Sequence, residues 1–361
     1  MMKLVTELCG LFGIRYPIVL AGMAGGPSTA ALAAAVSRAG GLGTLGAAYL
    51  TPSLLLDAVR EIRRLTDAPF AVNLFASRAA DDWSRLGEVQ SGLNRMREEL
   101  GIPLAALDEP GGLKSADLFE QQFEVLLEEK VPVISTAFGV LPAEYMKAAK
   151  LAGMKVLAMV TTVREAMLAE DAGCDAVVAQ GGEAGGHRGT FNVSDDIHRM
   201  GANIGTFALV PQVVDQVRIP VIAAGGVMDG RGLVAALALG AQGVQMGTRF
   251  LTAAESGAHA IYQEALLAST EESTVVTRAF SGRPARGIRN AFIRQWDESG
   301  LEPLPFPSQN TITRDIRNAA AAQRNADYIS LWAGQGTRLL KAGQSAEEIV
   351  AETIEQAQKI L

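Results

Sequence analysis

Two cysteines and three histidines in 361 residues close off several chemistries at once. Cys9 and Cys174 are too few to staple a chain of this length, so a disulfide framework is excluded and both thiols are expected to be reduced, as in a cytoplasmic protein. With no histidines and carboxylates clustered at strand ends, no metal site is expected. No lysine ends a strand, which argues against Schiff-base chemistry, and Cys174 precedes a strand rather than following one, which argues against a thiol nucleophile. Positive charge is also short: 32 Lys and Arg stand against 39 Asp and Glu, a net −7, which offers no footprint for nucleic acid or an anionic membrane. The uncharged run Tyr16 to Ser37 is long enough for a membrane span, but Pro17, Gly22, Gly25, Gly26 and Pro27 break it into a strand, a turn and a helix. Glu7 and Arg15 interrupt the apolar stretch after Lys3 before a signal-peptide core forms. The expected partner is a small molecule.

Apolar residues make up 48% of the chain while aromatics are only 6%, a balance that suits buried strands packed by small-residue helices. Eight short apolar runs are predicted as strands: Pro17-Ala21, Gly43-Gly46, Phe70-Leu74, Val131-Ser135, Lys155-Val160, Asp175-Gln180, Pro220-Ala224 and Gly243-Met246. Helical patterns separate them, and Ala258-Ala268 is expected to supply the last. Eight such α/β units close a parallel sheet into a TIM (β/α)8 barrel. Two regions depart from the repeat. About 76–119 reads as an insertion after the third strand, a surface elaboration with a charged amphipathic helix near Leu93-Leu100 and a turn at Glu109-Gly112. From Glu271 a C-terminal helical extension, with Trp296, Tyr328 and Trp332, is too apolar to be disordered. The division expected is a barrel over 1–270 and an extension over 271–361 that packs on the barrel mouth.

Catalytic loops of parallel barrels follow the C-terminal ends of strands, and a phosphate site commonly forms after strands seven and eight. Here Ala223-Ala-Gly-Gly-Val-Met-Asp-Gly-Arg-Gly232 runs from strand seven into a helix start, where free N–H groups and the helix dipole favour a dianion. Gln245-Met-Gly-Thr-Arg249 follows strand eight. Asn73 and Gln180 end strands three and six, and carboxamides suit the polar edge of a flavin ring. Ala21, Gly22 and Met23 lie where backbone would press on its face. The loop Ala179-Gln-Gly-Gly-Glu-Ala-Gly-Gly-His-Arg-Gly189 spends five glycines around one imidazole. His187 is therefore the candidate base or electrostatic partner, whereas His198 and His259 lack that setting. Glu183 is read as orienting His187, as pairing with Arg188, or as a solvated carboxylate.

These residues resemble the nitronate monooxygenase family over nearly the whole chain. The resemblance rests on Ala21-Gly-Met-Ala-Gly-Gly26, the Gln180 to Gly189 loop, Ala223-Ala-Gly-Gly-Val-Met-Asp-Gly-Arg231 and Phe280-Ser-Gly-Arg-Pro-Ala-Arg-Gly287. The tail segments Pro307-Ser-Gln-Asn310 and Ser330-Leu-Trp-Ala-Gly-Gln335 look like the subgroup called class I. The resemblance implies a TIM barrel with non-covalent FMN that oxidises alkyl nitronates with O2 to a carbonyl compound and nitrite. It implies FMN contacts at Asn73, Gln180, Gly185 and Gly226, with Gln245, Met246, Gly247 and Thr248 around the phosphate. Gly186, Ala224 and Gly225 join them as neighbours in the same loops, and His187 would be the catalytic base. Where some class I members have tyrosine this chain has Phe306. Two other readings compete: an NAD(P)H-dependent FMN reductase of the enoyl-acyl-carrier-protein or quinone type, and a non-catalytic flavin-binding protein. Nothing in the sequence opposes a homo-oligomer.

Overall fold

A computed structural model describes residues 4–77, 80–107, 113–193 and 199–361. Eleven strands among the described residues are numbered in chain order. Eight of them, β1 (Ile18–Leu20), β2 (Gly43–Gly46), β3 (Phe70–Phe75), β4 (Val133–Ala137), β5 (Lys155–Val160), β6 (Ala176–Gln180), β8 (Val221–Ala224) and β9 (Gly243–Met246), form one parallel sheet ordered β1-β9-β8-β6-β5-β4-β3-β2. A bridge between Val19 and Leu42 joins its two ends, so the sheet closes as a TIM barrel. The fourth strand begins two residues later than the sequence pattern suggests, and the other seven lie within a residue or so of their expected places.

Strand periodicity sorts the side chains into two cores. Val19, Ala71, Val133, Leu157, Ala176, Val178 and Ile222 fill the barrel's interior, and helix Glu7–Phe12 plugs its base with Leu8, Cys9 and Phe12. Ile18, Leu20, Val72, Val177, Val244 and Met246 face outward into the layer between sheet and helices. Continuing the inward set by two residues at the C-terminal rim brings Asn73, Ser135, Gln180 and Gln245, all buried, to the same end of the barrel.

The outer ring differs from expectation at its last place. Helix Ala260–Ala268 packs against the tail, with Tyr262 and Leu266 meeting Leu331 and Ala333. The barrel wall there is completed by the final helix, Ala346–Ile360, which packs on helices Gly230–Ala238 and Ala30–Arg38. Ala346, Ile349, Val350, Ile354 and Ala357 of that helix join the barrel's outer core. The stretch after residue 270 thus returns to the barrel wall as well as crossing its mouth.

The insertion is more than surface. Leu86, Val89, Leu93, Met96 and Leu100 of helix Leu86–Leu100 form a second apolar core with Phe280, Phe292, Trp296, Ile316 and Tyr328. Arg97, on the same helix, is buried and holds Asp315 at 2.7 Å and the Ile312 carbonyl at 2.9 Å. Segments some two hundred residues apart are thereby locked together over the barrel. The expected turn at Glu109-Gly112 lies outside the described residues.

The role given to the final helix has a direct test. Ile349→Ala is expected to lower the unfolding free energy in urea by about 2–5 kcal/mol, the cost of deleting a buried isoleucine. A loss below about 0.5 kcal/mol, typical of a surface position, would show that the helix is not part of the wall.

Candidate active site

His187 stands on a strand. Gly186 and His187 form β7, which pairs antiparallel with β11 (Ala285–Ile288), itself paired with β10 (Thr274–Thr277). His187 lies opposite Ala285, and the Arg188 N–H donates to the Pro284 carbonyl at 2.7 Å. The glycine-rich segment expected as a loop is therefore pinned to the tail by main-chain bonds. Its other grip is Arg188, fully buried, whose guanidinium donates to the carbonyls of Gly181 (2.8 Å), Gln180 (2.7 Å) and Ala202 (3.1 Å). Gln180 adds a third: its amide donates to the His187 carbonyl at 2.9 Å and accepts from the Gly189 N–H at 2.8 Å.

The imidazole is held from the tail. Its Nε2 lies 2.8 Å from the Ser281 hydroxyl, which is 3.1 Å from the Arg283 carbonyl. When Ser281 gives its proton to that carbonyl it accepts from Nε2–H, and Nδ1 is left bare; when it donates to Nε2 the proton is on Nδ1. Around the ring stand Phe138, 5.7 Å away edge-on, and Trp332, 5.4 Å away, with Phe75 and Phe306 packed behind Phe138. Burial, reinforced by the charges of Arg283 and Arg317, pushes the imidazole down to about 3, so it is neutral at neutral pH. A neutral ring accepts protons, and an anion formed beside it would restore its basicity.

A cradle for a phosphate lies across the rim, but its construction differs from the one expected. The start of helix Gly230–Ala238 is already capped: Asp229 accepts from the Arg231 and Gly232 N–H groups, and the Gly230 N–H donates to Gln356 at 3.1 Å. That helix end is not the anion donor. The N–H groups of Gly225, Gly226 and Gly247, by contrast, donate to nothing among the described residues. Gly225 and Gly226 have φ of 114° and 73°, conformations that side chains resist. The third wall comes from the tail: Gly334 donates to the Thr248 hydroxyl at 3.0 Å and Gln335 to the Glu183 carbonyl at 3.0 Å. A Cβ added at Gly185 would lie 2.4 Å from the Gly334 nitrogen, so main chain meets main chain there.

Between imidazole and cradle the remaining expected residues divide. Gly22 passes so close to Asn73 that a Cβ would sit 2.3 Å from the asparagine's own, and Asn73 donates to Ser135 at 3.1 Å. Ala21 and Met23 are set by Ser28, which donates to the Ala21 carbonyl and accepts from the Met23 N–H, both at 2.9 Å. At Gly186 an added Cβ would meet nothing within 4 Å. Ala224 and Gln245 lie buried at the rim. Met246 turns its side chain outward into the helix layer, so what it offers the site is backbone. Glu183 takes none of its expected roles: both oxygens cap helix Thr206–Val214 by accepting from the Thr206 N–H, at 2.8 and 3.0 Å, and one also from its hydroxyl. Sequence reasoning missed Ser281, Arg283 and the Gly334-Gln-Gly336 run, although a Gly-x-Gly in an apolar tail is a visible sign of close approach. His259 caps helix Ala260–Ala268, and His198 lies outside the described residues.

Free glycine amides for a phosphate, a glycine-faced slot and one neutral imidazole at a barrel rim suit redox work on a planar, phosphate-bearing cofactor, and the chain is a flavin-dependent oxidoreductase of the TIM-barrel class. Comparison with known proteins narrows this. The family model described as Nitronate monooxygenase matches residues 6–356. A protein of Staphylococcus saprophyticus named "Probable nitronate monooxygenase" is 42% identical over 361 residues, covering 100% of this chain and 99% of the relative. A Bacillus subtilis protein of the same name is 39% identical over 356 residues, covering 99% and 100%. Among solved structures, the nitroalkane oxidase of Streptomyces ansochromogenes superposes with a TM-score of 0.89 at 39% identity, covering 98% of each chain. FabK from Thermotoga maritima gives 0.77 at 33% identity, covering 100% of this chain and 97% of that one. The chain belongs to the nitronate monooxygenase family. Among the described residues no group of His, Cys, Asp and Glu could hold a metal, and no helix is long and apolar enough to cross a membrane.

Two measurements check this geometry. Because the imidazole is held near 3 in the folded chain and returns to about 6.5 on unfolding, only the unfolded chain takes up that proton between those values. Stability is therefore expected to fall as pH drops below about 6.5, and His187→Asn should show a smaller drop in Tm between pH 7.5 and pH 5. An equal drop in both proteins would mean an ordinary, solvated histidine. Gly185→Ala should separate the tail from the glycine segment and lose flavin during gel filtration, while far-UV circular dichroism keeps its barrel signal; retained flavin would count against the third wall.

Proposed function

We propose that the chain binds FMN without a covalent link and oxidises alkyl nitronates with O2 to a carbonyl compound and nitrite. The observation that carries this reading is the neutral imidazole of His187, walled by aromatics, at the same rim as the free amides of Gly225, Gly226 and Gly247. Gly336, whose Cβ position would meet the Met228 side chain at 2.5 Å, packs beside this cradle. When bound, the flavin supplies the electron acceptor and the means of passing electrons to O2. Asn73 and the remaining amide hydrogen of Gln180 would face its polar edge, and the backbone of Ala21 to Met23 its flat side.

The protein's own groups divide the remaining work. The rings of Phe75, Phe138, Phe306 and Trp332 around the imidazole would offer apolar surface to the substrate's carbon chain. In the tautomer whose Nε2–H donates to Ser281, the bare Nδ1 of His187 would remove the α-proton of a neutral nitroalkane; for a substrate that arrives as the nitronate, the other tautomer's Nδ1–H would donate a hydrogen bond to it. The similarity to the Streptomyces nitroalkane oxidase supports the first use.

A second reading, reduction by NAD(P)H, is favoured by one observation, the likeness to FabK at 33% identity. Air-equilibrated FMN-loaded protein is expected to release nitrite from propyl-2-nitronate without NAD(P)H, and anaerobic NADH or NADPH should leave the flavin oxidised. Rapid bleaching by either nucleotide, with no nitrite from any nitronate, would falsify the proposal. His187→Asn should lower kcat/KM for nitroethane by about 10²- to 10⁴-fold, the usual weight of a general base, and for ethylnitronate by much less.

A further inference from the structure

The substrate proposed above is an anion, yet the imidazole beside its site is neutral, so its counter-charge must come from elsewhere. Arg283 is 5% exposed and sits two residues beyond Ser281, in the same turn that holds His187. Its guanidinium lies over the Phe138 ring, 3.9 Å from the centroid, and Phe138 in turn stands edge-on to His187. One Nη donates to the Thr190 carbonyl, while Nε is buried without any partner. Arg283 forms no ion pair among the described residues. Glu165, the acid whose charge reaches it, gives its oxygens instead to Thr161 and to the Phe191 N–H, at 2.6 to 2.8 Å.

Such an arrangement of protein groups carries a free-energy cost. A buried guanidinium ordinarily has a carboxylate beside it, and an unsatisfied donor costs free energy. Phe138 adds backbone strain, since its φ of 70° is a conformation bulky residues avoid. Arg317 places a second cation on the same side, bound to the Asn310 carbonyl at 2.6 Å and to its side-chain oxygen at 3.0 Å. Among the described residues neither cation has a carboxylate ion pair, and together they leave a positive field that a small oxyanion would neutralise.

We propose that Arg283, stacked on Phe138, is the residue that recognises the anionic group of the substrate, and so sets the preference for nitronates over neutral nitroalkanes. This rests on the nitronate reading, and its test is arranged to survive that reading's failure. Nitrate is a planar oxyanion that mimics the nitronate group without reacting. In FMN-loaded wild-type protein, nitrate should perturb the flavin absorbance, raise Tm, and compete with ethylnitronate, whereas chloride should do so far more weakly. Arg283→Met should raise KM for ethylnitronate, and Kd for nitrate, by about 10- to 100-fold, the worth of one charge-assisted hydrogen bond, with KM for nitroethane nearly unchanged. Arg283→Lys should recover part of the loss. An unchanged nitrate Kd in Arg283→Met, or equal rises in KM for anion and neutral substrate, would overturn the assignment. So would a variant whose flavin spectrum shifts while nitrate binding stays as in wild type, since Arg283 would then serve the cofactor. If neither variant folds, the wild-type protein still decides: nitrate that fails to bind, or that binds no better than chloride, removes the anion site. A wild-type protein that binds nitrate but releases no nitrite would sink the nitronate reading and leave the anion site standing.

Discussion

The site depends on one short piece of backbone pairing, Gly186 and His187 against Ala285 and Arg286. A glycine-rich segment alone has too much conformational freedom to hold an imidazole within the fraction of an ångström that proton transfer requires. Pairing with a strand a hundred residues later removes that freedom, and the same turn delivers Ser281 to the imidazole and Arg283 to the ring beside it. The tail continues along this edge, so that Trp332 reaches His187 and Gly334 reaches Thr248. Its end then returns to the barrel wall as the final helix, which anchors the whole crossing.

Electrostatics around this pairing follow from burial. Arg188 and Arg283 are both buried, and burial pulls each down to about 10. Arg188 resolves its burial by binding carbonyl oxygens at the ends of main-chain segments, and so acts as a brace. Arg283 has one such carbonyl and an aromatic face, and remains poised for an anion. The imidazole stays neutral first because it is buried, and then because the charges of Arg283 and Arg317 would repel a further cation. A site of this kind keeps its base free of protons until a substrate brings negative charge to it.

Much of the barrel was legible because its strands are short apolar runs bounded by turn residues, and because their count closes only one familiar sheet. The candidate loops were legible for a related reason: in a parallel barrel the chain order fixes which loops share a rim, so Gly226, Thr248 and His187 had to be neighbours. Partnerships were not legible. Glu183 looked equally able to serve His187, Arg188 or solvent, and the Thr206 amide that binds it lies 23 residues away. The helix start after strand seven looked like an anion site, and Asp229 instead consumes the donors that would have made one. The apolar residues of helix Leu86–Leu100 read as a surface helix because their partners, Phe292 and Trp296, stand two hundred residues further on.

By itself, then, the sequence determined the alternation of α and β, the closed parallel sheet, and the set of glycine-rich loops from which a flavin enzyme could be built, since these follow from local periodicity and from the connectivity rules of parallel sheets. Only the tertiary structure decided that His187 sits on a strand, that Gln180 braces it, and that Met246 faces away from the site. It alone decided that the last helix closes the wall. Those outcomes hinge on contacts between segments far apart in the chain, where the free energy of burial and of satisfied hydrogen bonds selects one arrangement among many that the local pattern allows equally.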